Sequence, residues 1–221
     1  ATSSARALLP SPPPACCLLE SMADEAPGEL PSYSSQDYWE ERYQREDDVF
    51  EWYHTYDELK PIIKPHINPK DRIMVAGCGN SCFSSHLEAD NHEGEIVNVD
   101  YSPTVLKFMM ARCPKSILQS WVCADLSGRT EFSDGSFDVV VDKGLLDAVV
   151  CGPQELRESV IQEIHRVLRV GGVFIVVSHS KPEDRLPLFT EQGFPGASVH
   201  PIDRILDGEK FTNHVYILEK H

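Results

Sequence analysis

The sequence predicts an α/β fold in which helices cover both faces of a parallel β-sheet. Short apolar runs of strand length alternate with longer segments of helical period through most of the 221 residues. The short runs are almost continuous in valine and isoleucine, which is typical of strands buried on both faces. The run at residues 72–76 ends in a turn with two glycines, Gly77 and Gly79, and a helix-like segment follows it.

The predicted strands are apolar runs that end at turn residues or at acids. The last two read as a hairpin joined through Asp207 and Gly208, which adds antiparallel pairing at the edge of the sheet. In chain order the predicted strands are residues 72–76, 96–99, 121–124, 137–141, 173–178, 197–202 and 214–218.

The predicted helices are recognised from their caps, their first turns and their apolar stripes. Ser35 is a favourable N-cap, Pro103 suits the first turn of a helix, and the pair Gly171 and Gly172 ends the last one. In chain order the helices run from Ser35 through residue 43, over 57–63, from the glycine turn to about residue 90, over 103–112 and over 154–168.

Composition and charge exclude several classes of protein. A hydrophobic content of 41% supports one sizeable core, and no apolar run reaches the length of about 18 residues that a membrane helix needs. The net charge of −15 argues against nucleic acid as a partner. An acidic surface suits a basic partner such as a lysine-rich protein, although the charge is equally explained by solubility alone.

The seven cysteines predict reduced thiols and a cytoplasmic protein. Their number is odd, and they contain no repeated C-x-x-C pair, so neither a disulfide framework nor a metal site is expected. Cys78 lies in the glycine turn, where a small side chain is needed more than a nucleophile.

We expect a disordered N-terminal tail at residues 1–32 and one domain at residues 33–221. Proline runs break any helix in the tail, and little there can form a core. The first 19 residues hold Arg6 and no acid, so a mitochondrial transit peptide is an alternative to a flexible tail.

A ligand site is predicted where the parallel strands end, because ligands of open α/β sheets bind beyond the carboxyl ends of the strands. An acid about 20 residues after a glycine-rich first turn is the typical acceptor for ribose hydroxyls of a nucleotide-type cofactor. Asp100 meets that description, and Asp125 could accept from an adenine amine. The residues at the strand ends are Gly77, Gly79, Asp100, Tyr101, Asp125, Leu126, Asp142 and Lys143.

The glycine turn favours S-adenosylmethionine over a dinucleotide. Dinucleotide sites use G-x-G-x-x-G, whose third glycine allows close packing of helix and strand. Here Cys82 stands at the third glycine position. The aromatic residues Trp39, Tyr43 and Trp52 precede the first strand; by pattern alone they are more readily core residues than a lid over a flat cofactor.

Several motifs together resemble the class I S-adenosylmethionine-dependent methyltransferases. The resemblance is strongest to the eukaryotic branch that methylates lysines of elongation factor 1A and, in a mitochondrial relative, of citrate synthase. The matching motifs are Tyr-Trp-Glu-Glu-Arg-Tyr at 38–43, Phe-Glu-Trp-Tyr at 50–53, Gly-Cys-Gly-Asn-Ser at 77–81, Val-Asp-Tyr-Ser at 99–102, Ser-Phe-Asp-Val-Val at 136–140, Asp-Lys-Gly-Leu-Leu-Asp-Ala at 142–148 and Arg-Val-Leu at 166–168.

This resemblance implies a doubly wound, Rossmann-like sheet of seven strands, mostly parallel, with an antiparallel C-terminal strand. It also assigns roles to the site residues. Trp39, Tyr43 and Trp52 would close over the cofactor, which reverses the interpretation from pattern alone. Gly77 would line the methionine part, and Gly79 belongs to the same cofactor-binding turn. Asp100 would hold the ribose, Tyr101 would lie beside the adenine, Asp125 and Leu126 would bracket it, and Lys143 would reach the cofactor from the fourth strand.

The predicted reaction is methyl transfer to a lysine of a protein substrate, such as a translation factor. Asp142 is the candidate catalytic residue, since it could orient the amine or take its proton; capping of the next helix is an equal alternative. Asp147 is expected to be structural. A small-molecule methyltransferase and a non-catalytic S-adenosylmethionine-binding module remain as other hypotheses, with a dehydrogenase more distant. No metal, nucleic-acid or membrane partner is expected.

Overall fold

The computed structural model describes residues 32–45, 48–113, 116–206 and 209–221. The predicted tail of residues 1–32 therefore lies outside the described residues, except for Ser32. The strands are β1 Ile73–Ala76, β2 Ile96–Asp100, β3 Gln119–Cys123, β4 Phe137–Lys143, β5 Leu168–Ser178, β6 Ala197–Leu206 and β7 Glu209–Glu219. The helices are α1 Gln36–Arg45, α2 Tyr56–Ile63, α3 Phe83–Ala89, α4 Pro103–Arg112, α5 Leu145–Val149, α6 Gln154–Val167 and α7 Pro182–Glu191.

The strands form one sheet of seven in the order β3-β2-β1-β4-β5-β7-β6. The first five strands pair in parallel, whereas β7 runs antiparallel to both β5 and β6. The predicted doubly wound sheet with an antiparallel C-terminal strand is thereby confirmed. The last strand lies inside the sheet, and β6 forms its edge. The connection predicted at Asp207 and Gly208 lies outside the described residues.

Strand β1 is buried along its whole length because helices cover both faces of the sheet. Successive side chains of a strand point to opposite faces. Ile73 and Val75 pack into one hydrophobic cluster with α2, α3 and α4, and Met74 and Ala76 pack into a second cluster with α6 and α7. These two clusters hold the carboxyl ends of the central strands in fixed positions.

The structure contains two helices that the sequence did not predict, α5 and α7. Helix α7 begins with Pro182 and carries Pro187 inside it, and interior proline argues against a helix in a sequence pattern. Three strands also begin earlier than expected, β3 at Gln119, β5 at Leu168 and β7 at Glu209. Helix α6 ends at Val167, so the chain passes directly from helix to strand before the glycine pair.

Among the described cysteines, Cys78, Cys82, Cys113 and Cys123 are free thiols. Cys16 and Cys17 lie outside the described residues. Among the helices in the described ranges, none combines the length and the apolarity that crossing a membrane requires.

Candidate active site

A deep cavity opens at the carboxyl ends of β1, β2, β3 and β4. Ten of the predicted site residues line this one cavity: Trp39, Tyr43, Trp52, Gly77, Gly79, Asp100, Tyr101, Asp125, Leu126 and Lys143. Parallel strands all point the same way, so residues far apart in sequence meet at one edge of the sheet.

The glycine turn after β1 requires glycine at both of its predicted positions. Gly77 has φ +60° and Gly79 has φ +51°, values that side-chain-bearing residues rarely adopt. A Cβ at Gly77 would lie 2.9 Å from Cβ of Leu145, and one at Gly79 would lie 2.9 Å from the hydroxyl oxygen of Tyr43. The backbone of the turn is therefore left bare toward the cavity.

Asp100 ends β2 and is held against the glycine turn. Its Oδ2 accepts a 3.0 Å hydrogen bond from the backbone N–H of Gly79, and its Oδ1 accepts one of 3.0 Å from Ser102. Burial raises the pKa of Asp100 to about 6, against the opposing effect of these N–H donors. The carboxylate is thus fixed in orientation and retains lone pairs for a ligand's hydroxyl groups.

The aromatic residues before β1 both pack together and line the cavity. Trp39 of α1 stacks on Tyr43 with ring centres 5.8 Å apart, and its edge meets Trp52 at 6.0 Å. The guanidinium of Arg42 lies 5.1 Å from the centre of the Trp52 ring. Both interpretations of these residues, as packing and as a cavity wall, are therefore compatible with the structure.

The far end of the cavity is bounded by Tyr101, Asp125 and Leu126. The hydroxyl of Tyr101 donates to the backbone oxygen of Ser35 at 3.3 Å, which ties the residue to the start of α1. Asp125 is exposed and its Oδ1 accepts from the N–H of Ser127, whereas Leu126 is buried. An apolar contact beside a carboxylate suits a heterocyclic base with an exocyclic amine.

Lys143 is nearly enclosed at the end of β4. Its ammonium donates to the backbone oxygen of Trp52 at 3.0 Å and pairs with Glu51 at 2.9 Å. Burial lowers the pKa of Lys143, while the charge of Glu51 opposes that shift. The same Glu51 carboxylate accepts from the hydroxyl of Ser81 and from the N–H of Cys82.

Glu51 was missed as a site residue, although it stands in the Phe-Glu-Trp-Tyr motif at 50–53. An acid between aromatic residues, ahead of a glycine turn, was the available signal. Its contacts join the turn after β1 to Lys143 at the end of β4.

Asp142 is fully buried and does not line the cavity. Its two carboxylate oxygens accept from the N–H groups of Leu145 at 2.7 Å and of Leu146 at 2.9 Å, which caps α5. Burial, together with the charge of Asp147, raises the pKa of Asp142 to about 7. Hydrogen bonds of Asp142 therefore support the interpretation that it caps the helix, and its catalytic role stays a prediction.

Tyr53 and Asp147 are among the residues that line the cavity without having been predicted as site residues. The hydroxyl of Tyr53 donates to Oδ2 of Asp147 at 2.6 Å. Asp147 was expected to be structural, and its several buried contacts agree with that expectation. Its exposure to the cavity was not foreseen from the sequence.

Comparison with known proteins identifies the family. The profile described as "Methyltransferase domain" matches residues 74–176. Mouse "EEF1A lysine methyltransferase 4" is 30% identical over 211 residues, an alignment that covers 88% of this chain and 80% of the mouse protein. The chain belongs to the class I S-adenosylmethionine-dependent methyltransferases. Within them it lies in the branch of that mouse relative.

Two further comparisons agree with this family. Mouse "eEF1A lysine and N-terminal methyltransferase" is 39% identical over 152 residues, which is 66% of this chain. The alignment spans only 22% of that longer mouse protein. A solved S-adenosylmethionine-dependent methyltransferase from Methanosarcina mazei shares the fold with a TM-score of 0.62, at 20% identity, over 72% of this chain and 97% of its own.

Family membership confirms S-adenosylmethionine as the cofactor, and the cavity fits it. The bare backbone at Gly77 and Gly79 leaves room for a ligand directly on the turn. Asp100 offers an oriented carboxylate to ribose hydroxyls, and the aromatic wall offers flat apolar surface to the adenosyl group. The roles of the individual residues toward the cofactor remain proposals.

Proposed function

We propose that this methyltransferase transfers a methyl group to the side-chain amine of a lysine in a protein substrate, with elongation factor 1A as the first candidate. The observation that carries this proposal is the alignment to mouse "EEF1A lysine methyltransferase 4", which covers most of both chains. The net charge of −15 supports a basic protein partner, since complementary charges favour encounter.

In this proposal the cofactor lies across the carboxyl ends of the first four strands, within a catalytic domain of residues 33–221. Asp100 accepts from both ribose hydroxyls, and Tyr101, Asp125 and Leu126 surround the adenine. The aromatic wall of Trp39, Tyr43 and Trp52 covers the cofactor, Gly77 and Gly79 lie under its methionine part, and Lys143 approaches from β4. When bound, S-adenosylmethionine supplies an electrophilic methyl carbon on a sulfonium centre.

The protein's contribution is then mainly positioning and desolvation. In-line displacement requires that the acceptor nitrogen approach the methyl carbon with its lone pair aligned. A free lysine has a pKa of about 10.4, so its amine is protonated at neutral pH and cannot attack. An enclosed apolar site disfavours the charged ammonium and lowers that pKa, which eases loss of the proton.

Binding and transfer of labelled methyl groups test the proposal in two steps. Calorimetric titration with S-adenosylmethionine and S-adenosylhomocysteine should give saturable binding, and NADH should give none. The purified chain should then transfer tritiated methyl groups to recombinant elongation factor 1A, with the label mapped to lysine by mass spectrometry. Asp100→Ala is the matched negative control for that transfer.

Each alternative predicts a different result. Label in small molecules of a cell extract, with none in protein, would replace the lysine proposal with a small-molecule methyltransferase. Cofactor binding without transfer to any acceptor would favour a non-catalytic module. NADH binding without S-adenosylmethionine binding would contradict the family's cofactor at this site. Label on a protein other than elongation factor 1A would keep the lysine chemistry and change the substrate.

A cytoplasmic location belongs to the same proposal. The thiols of Cys78, Cys82, Cys113 and Cys123 are free, which is typical of proteins in reducing compartments. Fractionation of cells that express the tagged full-length protein tests it, and recovery in mitochondria would favour a transit peptide.

A further inference from the structure

Tyr53 has an unusual backbone conformation beside the cavity. Its φ is +61°, a left-handed value that residues other than glycine rarely adopt. The N–H of His54 donates to the backbone oxygen of Trp52 at 2.8 Å, which closes a tight turn centred on Tyr53. Arg204 of β6 donates to the backbone oxygen of Tyr53 at 2.5 Å. Conformations of this kind persist where the surrounding structure enforces them, and they cluster at functional sites.

This turn directs the Tyr53 phenol into a buried polar cluster. The hydroxyl lies 2.6 Å from Oδ2 of Asp147 and 3.2 Å from Nδ1 of His179. The Nδ1 atom of His179 is in turn 3.0 Å from the same Asp147 oxygen. The three groups therefore form a closed triangle, which we call the Tyr53–Asp147–His179 cluster. Tyr53 and Asp147 line the cavity, whereas the His179 side chain is 12% exposed.

Asp147 is positioned to remain ionised at the centre of this cluster. Its Oδ1 accepts from the hydroxyl of Ser178 at 2.6 Å and from the guanidinium of Arg185 at 2.5 Å. Burial alone would raise the pKa of Asp147, but the contact with a protonated His179 and the charge of Arg185 bring it down to about 2. A fixed carboxylate holds the phenol in one orientation, and its charge can stabilise a cation beside it.

The charged and titratable groups around His179 come from several elements. Asp147 faces it from α5 and Tyr53 from the turn before α2. Arg185 of α7 reaches the opposite oxygen of Asp147. The negative charge of Asp147 also acts on Asp142 of β4, whose pKa it raises. The charges of Arg185 and Asp147 also influence the pKa of Tyr216 of β7.

We propose that the phenol oxygen of Tyr53 receives the acceptor amine, and that His179 takes up the proton which this amine loses. This inference rests on the proposed amine methylation. The ammonium of the acceptor donates to the phenol oxygen, whose own proton points toward Asp147 and His179. This path requires that the resting His179 be neutral with its proton on Nε2, so that Nδ1 carries a lone pair. The phenol takes a proton from the ammonium and passes its own proton to Nδ1 of His179, which then forms an ion pair with Asp147.

The transfer step then balances. The neutral amine forms a bond to the methyl carbon while the bond from that carbon to sulfur breaks, and the sulfur leaves as a neutral thioether. The product is a methylated ammonium, and one proton has been released. His179 can return its proton to water because its side chain reaches the surface.

The other ionisable groups nearby are less suited to this role. Lys143 is a cation paired with Glu51, and a cation donates hydrogen bonds but cannot accept one from an ammonium. Asp142 is fully buried with both oxygens bonded to backbone N–H groups. The phenol of Tyr53 lines the cavity and is an acceptor as well as a donor.

The test uses a cofactor analogue that needs no methyl transfer. In this amine analogue, nitrogen replaces the sulfur of S-adenosylhomocysteine and carries a short aminoalkyl chain. A second compound, its alkyl partner, carries an alkyl chain of the same length without the amine and serves for comparison. The matched variants are Tyr53→Phe and Tyr56→Phe. Tyr56 also donates a buried phenol hydrogen bond to a carboxylate, Asp90, but it does not line the cavity.

We expect the wild-type protein to bind the amine analogue about tenfold or more tightly than its alkyl partner, which is the effect of one hydrogen bond to a charged group. Tyr53→Phe should reduce this ratio to within about twofold at unchanged affinity for S-adenosylhomocysteine. Tyr56→Phe should keep the wild-type ratio. A wild-type protein without preference for the amine, or a Tyr53→Phe variant that retains the preference, would overturn the inference.

A second measurement tests the proton path and covers a Tyr53→Phe variant that fails to fold. His179→Gln should keep the preference for the amine analogue, because Tyr53 and Asp147 remain. With a protein acceptor, its transfer rate should rise only at higher pH than in the wild type, toward the ordinary range of lysine near about 10.4. A His179→Gln variant with the wild-type pH profile would remove His179 from the path. Because the analogue measurement requires no turnover, failure of the lysine substrate proposal would leave its result intact.

Discussion

The backbone N–H of Gly79 donates a 3.0 Å hydrogen bond to Oδ2 of Asp100. This contact joins the turn after β1 to the end of β2, and the N–H of Cys78 strengthens it by donating to the backbone oxygen of Val99 at 3.0 Å. The two features that a cofactor of this family needs, a bare turn and an oriented acid, are therefore one structural unit. A substitution at either residue should therefore disturb the position of the other.

Replacing Asp100 with alanine should abolish cofactor binding. The variant loses the acceptor for the ribose hydroxyls and also the contact that orients Gly79. The loss of two hydrogen bonds to a charged acceptor predicts a fall in affinity for S-adenosylhomocysteine of at least about 100-fold. Calorimetric titration measures this affinity. Asp134→Ala is a suitable control, because the exposed Asp134 pairs with Arg166 away from the cavity. Unchanged affinity in Asp100→Ala would refute the ribose assignment.

Cofactor affinity should fall as the pH drops through the pKa of Asp100. Burial raises that pKa to about 6, so Asp100 becomes protonated below this value and loses the charge that accepts from ribose hydroxyls. Affinity should then be constant at higher pH and decline by up to about tenfold per pH unit well below 6.

Asp142 complicates that measurement because its pKa, about 7, lies close to the same range. The pH dependence should therefore be measured in three proteins. Asp142→Asn should keep the decline below pH 6, whereas Asp100→Asn should bind more weakly and with little dependence on pH. A decline in affinity that survives in Asp100→Asn and disappears in Asp142→Asn would contradict this prediction, because the titrating group would then be Asp142.

Substituting Gly79 with alanine should weaken both the fold and the site. Its φ of +51° is unfavourable for alanine, and the new Cβ would lie 2.9 Å from the hydroxyl oxygen of Tyr43. Conformational strain of this kind costs about 1–3 kcal/mol of the free energy of unfolding, measured by denaturant titration.

Two companion variants separate strain from steric overlap at Gly79. Tyr43→Phe in the Gly79→Ala background removes the hydroxyl and should restore only part of the stability. Gly196→Ala is the matched control, because a Cβ there meets nothing within 4 Å. Equal loss of stability at Gly79 and Gly196 would contradict the structural account of the turn.

Asp142→Asn distinguishes a helix cap from a catalytic acid. An asparagine has one acceptor oxygen for the two N–H groups of Leu145 and Leu146, so the cap predicts a loss of about 1 kcal/mol in stability. Because Asp142 does not line the cavity, we expect the turnover of folded protein to remain near that of the wild type. Transfer slowed by tenfold or more, with unchanged cofactor affinity and stability, would instead support the catalytic role.

Much of the fold followed from local patterns because each is a short-range property of the chain. The apolar runs marked the strands, and Pro103 marked the start of α4, where the structure adds a cap in which the Ser102 hydroxyl accepts from the N–H of Val105. The strand ends then located the site, because parallel strands bring their carboxyl ends to one edge of the sheet. Seven predicted site residues line the cavity for that reason, whereas Trp39, Tyr43 and Trp52 reach it from α1 and the segment before α2.

Local patterns were insufficient where the packing of distant segments overrides them. Helix α7 forms despite Pro187, and its Arg185 is buried against Asp147. Short helix α5 is too brief for an apolar period to be visible, so its cap by Asp142 was only one of two interpretations. These elements depend on contacts that the periodicity of a single segment does not encode.

The sequence by itself determined the sheet, the glycine turn, the acid that follows it and the class of cofactor. Tertiary structure alone decided which polar groups meet beside that cofactor site. Tyr53 lies 94 residues from Asp147 and 126 residues from His179, yet the three side chains are in contact. The turn centred on Tyr53, the short helix that carries Asp147 and the end of β5 must all be in place before these groups converge. No spacing in the sequence expresses that convergence, because it is a property of three packed elements.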